Sequence, residues 1–472
     1  MKLWSKGLFR FRRNQGPFEG RGVPLFTIIV TVYQHTSTNF FKELVASIVR
    51  LKSNSLEVVL LAHGPIPVDL SGLLLELPKY FRVFRESVNF GIVGGMKYCL
   101  GKAKGDFIIP VDADDLLARN ALTVFEKEIS SNPDTVYFYS DEDFLIDGSR
   151  KSPYRRPDWD PVLSLDSSYI WHLTCFSRTK AIELGIYSDL NSEYCHDWDT
   201  LQRFDLSRCK IKHVPKVLYH WRQHSASNTN NEKNQPNINS LNSQKNVLSQ
   251  RILKTSHPDL YGISEFPFFR GAVEYYIHRK APAPMKFHML EREDLESSSG
   301  VSESDYYSFI DQPQASLSHS SLLEALKIFD FVSDVAIVTG PTVDKRTNLI
   351  LSAAGVQAKS GKVIVPMLNK SSSDPGPFAI GLKPHCVDFP NPDFWIVRGS
   401  FLNTMLGENL TPNCRISLAN CVAQICLRYG RLIATSPLVS LISSGYDLKK
   451  RNHALKPLVK NKNNLYYHYP YS

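Results

Sequence analysis

Apolar and polar residues follow two alternating patterns over the first 111 positions of the chain. Between the strand-like segments, apolar side chains recur at helical spacing over residues 40–49 and 92–103. The strand-like segments themselves are short apolar runs typical of buried parallel strands, at residues 25–32, 57–61, 81–84 and 106–111. This alternation predicts an α/β fold with an open, mostly parallel sheet. Such sheets bind ligands beyond the carboxyl ends of their strands.

Changes in composition divide the chain into five parts. Residues 223–246 are rich in Asn, Ser, Gln and Lys, and residues 291–321 are acidic and rich in Ser, so both stretches indicate a linker or loop. We therefore predict a basic leader, an α/β domain, a connecting region, a second α/β domain and a basic tail, at residues 1–23, 24–228, 229–320, 321–448 and 449–472.

Composition limits where the protein acts and what it binds. Forty-three per cent of the 472 residues are apolar, enough for real cores, yet no apolar run approaches the roughly 18 residues that cross a bilayer. Residues 1–13 mix basic and apolar side chains without the order of a signal peptide. Such a mixture is typical either of peripheral contact with an anionic membrane or of a disordered leader. The eight cysteines lack metal-ligand spacing, and we expect reduced thiols in the cytoplasm.

Three aspartates follow the fourth predicted strand, in the sequence Asp112-Ala-Asp114-Asp115. Their charges repel one another unless a cation lies between them, and Mn²⁺ or Mg²⁺ held together with a diphosphate suits such oxygen ligands. The net charge of +9 also suits an anionic ligand, although no basic stripe or module indicates nucleic acid. The alternative interpretation is an acidic cap on a helix beginning near Leu116.

An ordered set of motifs resembles glycosyltransferase family 2, the inverting enzymes of the GT-A fold. Two segments, 139–143 and 156–159, are similar to a subgroup that builds bacterial surface polysaccharide such as O-antigen or capsule. The other matching segments are residues 26–33, 89–91, 103–115, 195–203 and 214–222. The resemblance departs from the family at the end of the second strand, where His63-Gly64 replaces the usual acidic residue, so the nucleotide base stays open.

The resemblance implies a role for individual residues. Asp197 would be the general base, with Asp112, Asp114 and His220 as metal ligands. The residues implied in binding the nucleotide-sugar are Thr31, Tyr33, Asn89, Lys97, Asp112, Asp141, Glu142 and Arg222. Each assignment has a plainer alternative: Asp197 as an acid favoured in the first turn of a helix, His220 as a packed histidine, and the surface cations as solvated side chains.

The second half is similar to a later part of the same fold without its acids. Asn420, Cys421 and Val422 stand where the carboxylates are expected, so we predict a degenerate transferase-like domain. The function expected for the whole chain is inverting, metal-dependent transfer of a hexosyl or deoxyhexosyl group from a nucleotide-diphosphate donor to a growing glycan, with a lipid-linked glycan as one candidate acceptor. The alternatives are a nucleotidyltransferase, which a missing glycine-rich phosphate loop disfavours, and a non-catalytic partner that binds glycan or nucleotide-sugar.

Overall fold

The computed structural model describes residues 25–51, 53, 55–223, 237–268, 274–281, 286–291, 293–296, 300–311, 315–358, 360–408 and 415–444. The predicted leader and tail lie outside these residues. The chain divides into two compact units, one made of residues 1–156 and 170–247 and the other of residues 157–169 and 248–472. Among the described residues, no helix is both long and apolar enough to cross a membrane.

The first unit contains nine strands and the helices that pack on them. The strands are β1 Phe26–Val32, β2 Leu56–His63, β3 Phe81–Glu86, β4 Phe107–Pro110, β5 Leu116–Leu117, β6 Thr135–Ile146, β7 Ser149–Tyr154, β8 Thr174–Ser177 and β9 Lys210–Arg222. The helices are α1 Thr38–Val49, α2 Val68–Leu73, α3 Gly91–Lys102, α4 Ala121–Ser131, α6 Arg178–Glu183 and α7 His196–Leu206. The boundary between the units falls within α8, Ile238–Ile252, after Val247, and α5, Pro161–Asp166, belongs to the second unit.

One sheet orders these strands as β3-β2-β1-β4-β8-β6-β9-β5, with β7 paired to β6. The first four strands are parallel, as the alternating pattern predicts, and β6 also runs parallel to β9. The antiparallel strand β8 joins these two parallel parts. Because β1 and β2 are covered on both faces, their residues are almost all buried, which explains their continuous apolar runs. The predicted α/β fold is confirmed.

The second unit is also α/β but has smaller sheets. Its largest sheet orders six strands as β12-β13-β21-β15-β22-β20, with mixed parallel and antiparallel pairs. Its strands are β10 Tyr261–Glu265, β11 Tyr275–Arg279, β12 Phe287–Leu290, β13 Tyr306–Ile310, β14 Ala315–Leu317, β15 Val335–Thr339, β16 Thr342–Asp344, β17 Ile350–Ser352, β18 Val356–Gln357, β19 Val363–Ile364, β20 His385–Val387, β21 Phe394–Arg398, β22 Leu432–Thr435 and β23 Leu441–Ser443. Its further helices are α9 His319–Phe331, α10 Gly399–Gly407 and α11 Arg415–Arg428.

The region predicted as a connection, residues 229–320, contains regular structure in its described parts. Helix α8 begins at Ile238 because Leu241, Val247 and Leu248 are spaced to bury one face of it. Strands β10 to β14 follow within the second unit. The polar composition of residues 223–246 conceals this helix, because polar residues such as Ser243 are buried in it beside the apolar ones. The division into five parts stays a prediction.

Residues 157–169 lie in the second unit although their neighbours on both sides lie in the first. Asp160 caps α5 through the amides of Val162 and Leu163, and its other oxygen accepts the amide of Cys386 at 2.8 Å. Asp166, at the end of α5, accepts the amide of Ile277 at 2.9 Å. These buried contacts join the segment to strands that follow much later in the chain.

Candidate active site

Strand β4 delivers the three aspartates to the carboxyl edge of the sheet, and the structure gives each a different environment. The Asp112 side chain is 48% exposed, Asp114 is half-buried, and Asp115 is buried. Asp115 precedes the short strand β5, which pairs with β9, so the interpretation of an acidic cap on a helix near Leu116 is wrong. The next helix, α4, begins only at Ala121.

Asp115 is held from two sides by strand β9. The hydroxyl of Tyr219 donates to Asp115 Oδ2 at 2.6 Å, and the amide of Arg222 donates to Oδ1 at 2.7 Å. Burial raises the pKa of the Asp115 carboxyl well above its ordinary value, and the charges of Asp112 and Asp114 raise it further. The three acids therefore repel one another as the sequence indicates, and a cation placed beside them would relieve that repulsion.

His172 precedes strand β8 and lies between two carboxylates of the site. Its Nε2 lies 3.3 Å from Asp112 Oδ2, and its Nδ1 lies 3.3 Å from Glu142 Oε2. The imidazole stacks on the Tyr219 ring with 4.6 Å between centroids. Within the described residues, ligand atoms of Asp112, Asp115 and His172 lie within 4.8 Å of one another, a separation that one metal ion can bridge. We call these three residues the acidic cluster.

The charges of the acidic cluster are coupled to one another. Burial alone would lower the pKa of His172, but hydrogen bonds to Asp112 and Glu142 hold it well above its ordinary value. Burial alone would raise the pKa of Asp112, but the hydrogen bond and charge of His172 lower it. The imidazolium thus supplies one positive charge among several carboxylates, which leaves the cluster with an excess of acid.

Asp141 and Glu142 lie within strand β6, and both side chains are buried. Arg156 Nη2 lies 3.0 Å from Glu142 Oε1, with both side chains fully buried. Asp141 Oδ1 accepts the amide of Arg156 at 3.0 Å and lies 2.8 Å from His213 Nε2. Glu142 contacts His172 and is thereby linked to the acidic cluster. Asp141 is predicted to bind the donor, but its carboxylate contacts the Arg156 amide and His213 instead.

Two other predicted residues on strand β9 are engaged by the protein. His220 Nδ1 lies 2.6 Å from Asp143 Oδ1, outside the acidic cluster, and burial lowers the pKa of this imidazole. Arg222 Nε donates to the carbonyl oxygen of Asp114 at 2.6 Å, and its Nη2 lies 2.7 Å from Glu43 Oε2. Arg222 therefore fixes the backbone at Asp114, a role that the resemblance does not imply.

The predicted donor residues on β1 and α3 lie at the carboxyl edge of the parallel strands. Tyr33 is 37% exposed, and its pKa is raised by burial and then by the charge of Asp114, which lies nearby. Thr31 is half-buried beside Gly95, where an added methyl group would approach its Cγ2 to 3.0 Å. Asn89 and Lys97 are exposed, and Asn89 Oδ1 accepts the amide of Gly91 at 2.9 Å.

Asp197, the predicted general base, lies in the first turn of α7 with 24% of its side chain exposed. Burial raises the pKa of its carboxyl above the ordinary value, and the nearby charge of His196 opposes that shift. The charges of His172 and Asp112 also act on it, so Asp197 belongs to the same electrostatic environment as the acidic cluster. A carboxylate with a raised pKa is better suited to accept a proton near neutrality.

Sequence reasoning missed two residues of this site, His172 and Glu193. His172 is separated from Asp112 by 60 positions, and only the antiparallel strand β8 brings it to the edge of the sheet. Glu193 caps α3, with Oε2 accepting the amide of Val93 at 3.0 Å. No local pattern reveals either contact.

Comparison with known proteins gives matches to part of the chain. Residues 27–185 match the family model described as Glycosyl transferase family 2. The chain is 27% identical over 240 residues to "Uncharacterized protein y4gI" of Sinorhizobium fredii, covering 49% of this chain and 26% of that protein. It is 25% identical over 209 residues to "O-antigen biosynthesis protein RfbC" of Myxococcus xanthus, covering 43% of this chain and 16% of that protein. The chain thus spans about a quarter or less of these relatives.

Among solved structures, similarity is found to S. aureus TarS 1-349 in complex with UDP-GlcNAc. The sequences are 16% identical, the match covers 50% of this chain and 69% of that one, and the TM-score is 0.39.

Proposed function

From the match of residues 27–185 to the model described as Glycosyl transferase family 2, we propose that the chain transfers a sugar from a nucleoside-diphosphate donor to a hydroxyl of a glycan acceptor. The observation that carries the proposal is the acidic cluster at the carboxyl edge of the parallel strands. Asp197 interacts electrostatically with two members of this cluster, Asp112 and His172. The similarity to the O-antigen protein RfbC supports a surface polysaccharide as the product.

A divalent cation, Mn²⁺ or Mg²⁺, fits this cluster. Asp112 is the exposed carboxylate, and Asp114 lies on the same turn. Ligand atoms of His172 and Asp115 lie within 4.8 Å of that of Asp112, and His172 would bind the cation only after losing the proton of its imidazolium. When bound, such a cation would neutralise negative charge on the diphosphate leaving group. His220 is committed to Asp143, so Asp112 and Asp114 are the predicted ligands that we retain.

Asp197 is the residue that we propose as general base. Its carboxylate takes the proton of the acceptor hydroxyl as the acceptor oxygen bonds to the anomeric carbon. The bond from that carbon to the diphosphate oxygen breaks with its electron pair, and the nucleoside diphosphate leaves. One displacement inverts the anomeric configuration and requires no covalent intermediate. The raised pKa of Asp197 supports this role, since a stronger base removes the proton more readily.

A hydrolysis assay tests the proposal without knowledge of the acceptor, because water can replace the acceptor hydroxyl. UDP-GlcNAc, UDP-glucose, dTDP-rhamnose and GDP-mannose are each incubated with Mn²⁺, and release of the nucleoside diphosphate is followed. Asp197→Asn should lower the rate about 10²–10⁴-fold. The matched control is Asp69→Asn, an exposed acid in the first turn of α2, which should leave the rate unchanged. Equal rates for wild type and Asp197→Asn would refute the role of Asp197.

The second candidate is a non-catalytic partner that binds glycan or nucleotide-sugar for another transferase. It would retain metal-dependent binding of the donor without any release of nucleoside diphosphate. The position of Asp197 in the electrostatic environment of the acidic cluster favours the transferase, since inverting transfer requires a base close to the bound donor.

A further inference from the structure

The amino end of α3 is capped by a side chain from a distant part of the first unit. The carboxylate of Glu193 accepts the amides of Ile92 and Val93, through Oε1 and Oε2 respectively. The two preceding amides also have partners: Phe90 donates to His63 Nδ1 at 3.1 Å, and Gly91 donates to Asn89 Oδ1. A carboxylate at this position is stabilised by the helix dipole, and hydrogen bonds to an ionised acceptor are the stronger kind.

The glycine at the start of α3 is required by this contact. Gly91 has φ of +71°, a conformation that L side chains rarely adopt, and an added Cβ would overlap Glu193 Oε1. The donor segment, residues 89–93, is therefore shaped to receive Glu193. It contains Asn89, which the resemblance to glycosyltransferase family 2 implies in donor binding.

Glu193 lies in a tightly bonded turn that leads into α7. Ser192 Oγ donates to the carbonyl of Asp189 at 2.7 Å, and the Cys195 amide donates to the carbonyl of Ser192 at 2.8 Å. Asn246 of α8 donates to Asp189 Oδ2 at 2.7 Å. We call residues 189–197 the base turn, because it ends at Asp197. Its many internal bonds mean that displacement of Glu193 displaces the turn with it.

We propose that Glu193 is a positioning residue that couples the donor segment to the base turn, so that a donor bound at the first sets the place of Asp197 at the second. The coupling rests on the proposed function, since that function supplies both the donor contact and the base. Glu193 itself touches neither donor nor acceptor. It acts through hydrogen bonds to α3 on one side and through the backbone to Asp197 on the other.

The kinetic test is hydrolysis of the donor that wild type cleaves, measured for Glu193→Gln and Glu193→Ala. Misplacement of the base should lower kcat roughly 10–100-fold, while the donor KM changes by less than about threefold. Gly91→Ala, which pushes the carboxylate away, should lower kcat as well, and its effect should not add to that of Glu193→Ala. The matched control is Glu183→Gln, an exposed glutamate paired with Lys180, which should retain wild-type kinetics.

Hydrogen exchange measures the coupling without catalysis, and its first comparison needs only the wild-type chain. The nucleoside diphosphate of the cleaved donor, added with Mn²⁺ to the wild-type chain, should slow amide exchange in the donor segment and also in residues 195–199. In Glu193→Gln it should slow exchange in the donor segment alone.

The outcomes separate this proposal from the proposed function. If wild type neither binds a nucleotide nor hydrolyses a donor, the proposed function fails and the coupling fails with it. If wild type does both, but Glu193→Gln keeps the wild-type kcat while Asp197→Asn loses it, the coupling alone is overturned. Protection of the donor segment without protection of residues 195–199 in wild type would overturn it equally.

Discussion

Each unit of the chain places two carboxylates around a basic side chain, and the two groups differ in how completely they are buried. In the second unit, Lys327 lies 2.7 Å from Asp166 and 3.0 Å from Glu324, and all three side chains are buried. In the first unit, His172 lies between Asp112 and Glu142 at longer distances, and Asp112 is half exposed.

This difference in closure distinguishes a structural group of carboxylates from one that is available to a ligand. Burial and like charge raise the pKa of Glu324, but Lys327 counteracts this with its charge and a hydrogen bond. That cluster is compact, enclosed and engaged on every side by protein. The acidic cluster of the first unit has surplus acid and an exposed carboxylate, which is the condition for binding a cation from solvent.

The largest effect on stability is expected when Lys327 of the buried group in the second unit is replaced. Lys327→Met removes the cation and leaves two buried carboxylates facing each other, so the free energy of unfolding should fall by about 3–5 kcal/mol. Urea unfolding followed by fluorescence measures it. Lys370→Met, which breaks an exposed pair 3.8 Å from Asp374, is the matched control and should cost at most about 1 kcal/mol. Similar losses in both variants would show that the buried cluster is not structural.

The next effect separates two neighbouring aspartates of the first unit. Asp115→Ala leaves the Tyr219 hydroxyl and the Arg222 amide without their buried acceptor, which should cost about 2–3 kcal/mol of stability. Asp112→Ala removes an exposed carboxylate and should cost less than about 1 kcal/mol, while metal-dependent nucleotide binding is lost. Unfolding and nucleotide titration on both variants check this. The reverse order of stabilities would contradict the assignment of Asp115 to structure.

The pH dependence of catalysis gives a smaller, graded effect. Asp197 is active as a base only when ionised, and burial raises its pKa above the ordinary value near 3.8. The rate of donor hydrolysis should therefore fall about tenfold per pH unit below a pKa higher than 3.8, and it should level off above that pKa. Rates of donor hydrolysis measured from pH 4 to 8 test this dependence on pH. A rate that stays constant down to pH 4 would argue against Asp197 as the base.

The smallest effect is expected at an exposed ion pair of the first unit. Lys210 and Asp134 lie 3.1 Å apart with 67% and 77% of their side chains exposed. Lys210→Ala should change the free energy of unfolding by less than about 0.5 kcal/mol and leave nucleotide binding intact. A larger loss would mean that exposed charge pairs matter here, and the contrast with Lys327 would weaken.

The sequence predicted what depends on local patterns. The apolar runs gave the four parallel strands, and the position of Asp112 directly after β4 placed it at the sheet edge. Asp197 falls in the first turn of α7, so both the plain interpretation and the catalytic one are compatible with its position.

What the sequence could not predict depends on contacts between distant segments. The resemblance implies donor binding for Asp141 and Arg222. In the folded chain, however, Asp141 contacts His213 and the Arg156 amide, and Arg222 contacts Glu43. The packing of residues 157–169 into the second unit depends on buried bonds to strands that come more than a hundred positions later, such as the one from Ile277 to Asp166. Polar composition alone cannot distinguish a buried, paired acid from an exposed one.

The most direct test of the account is calorimetric titration of UDP, dTDP and GDP, each with and without Mn²⁺, into wild type and Asp112→Asn. We predict that one nucleotide binds wild type only with Mn²⁺, and that its Kd rises at least about tenfold in the variant, a loss of about 1.4 kcal/mol. Asp134→Asn, an exposed aspartate, should bind as wild type does. Binding that needs neither the cation nor Asp112, or no binding by a folded wild-type chain, would contradict it.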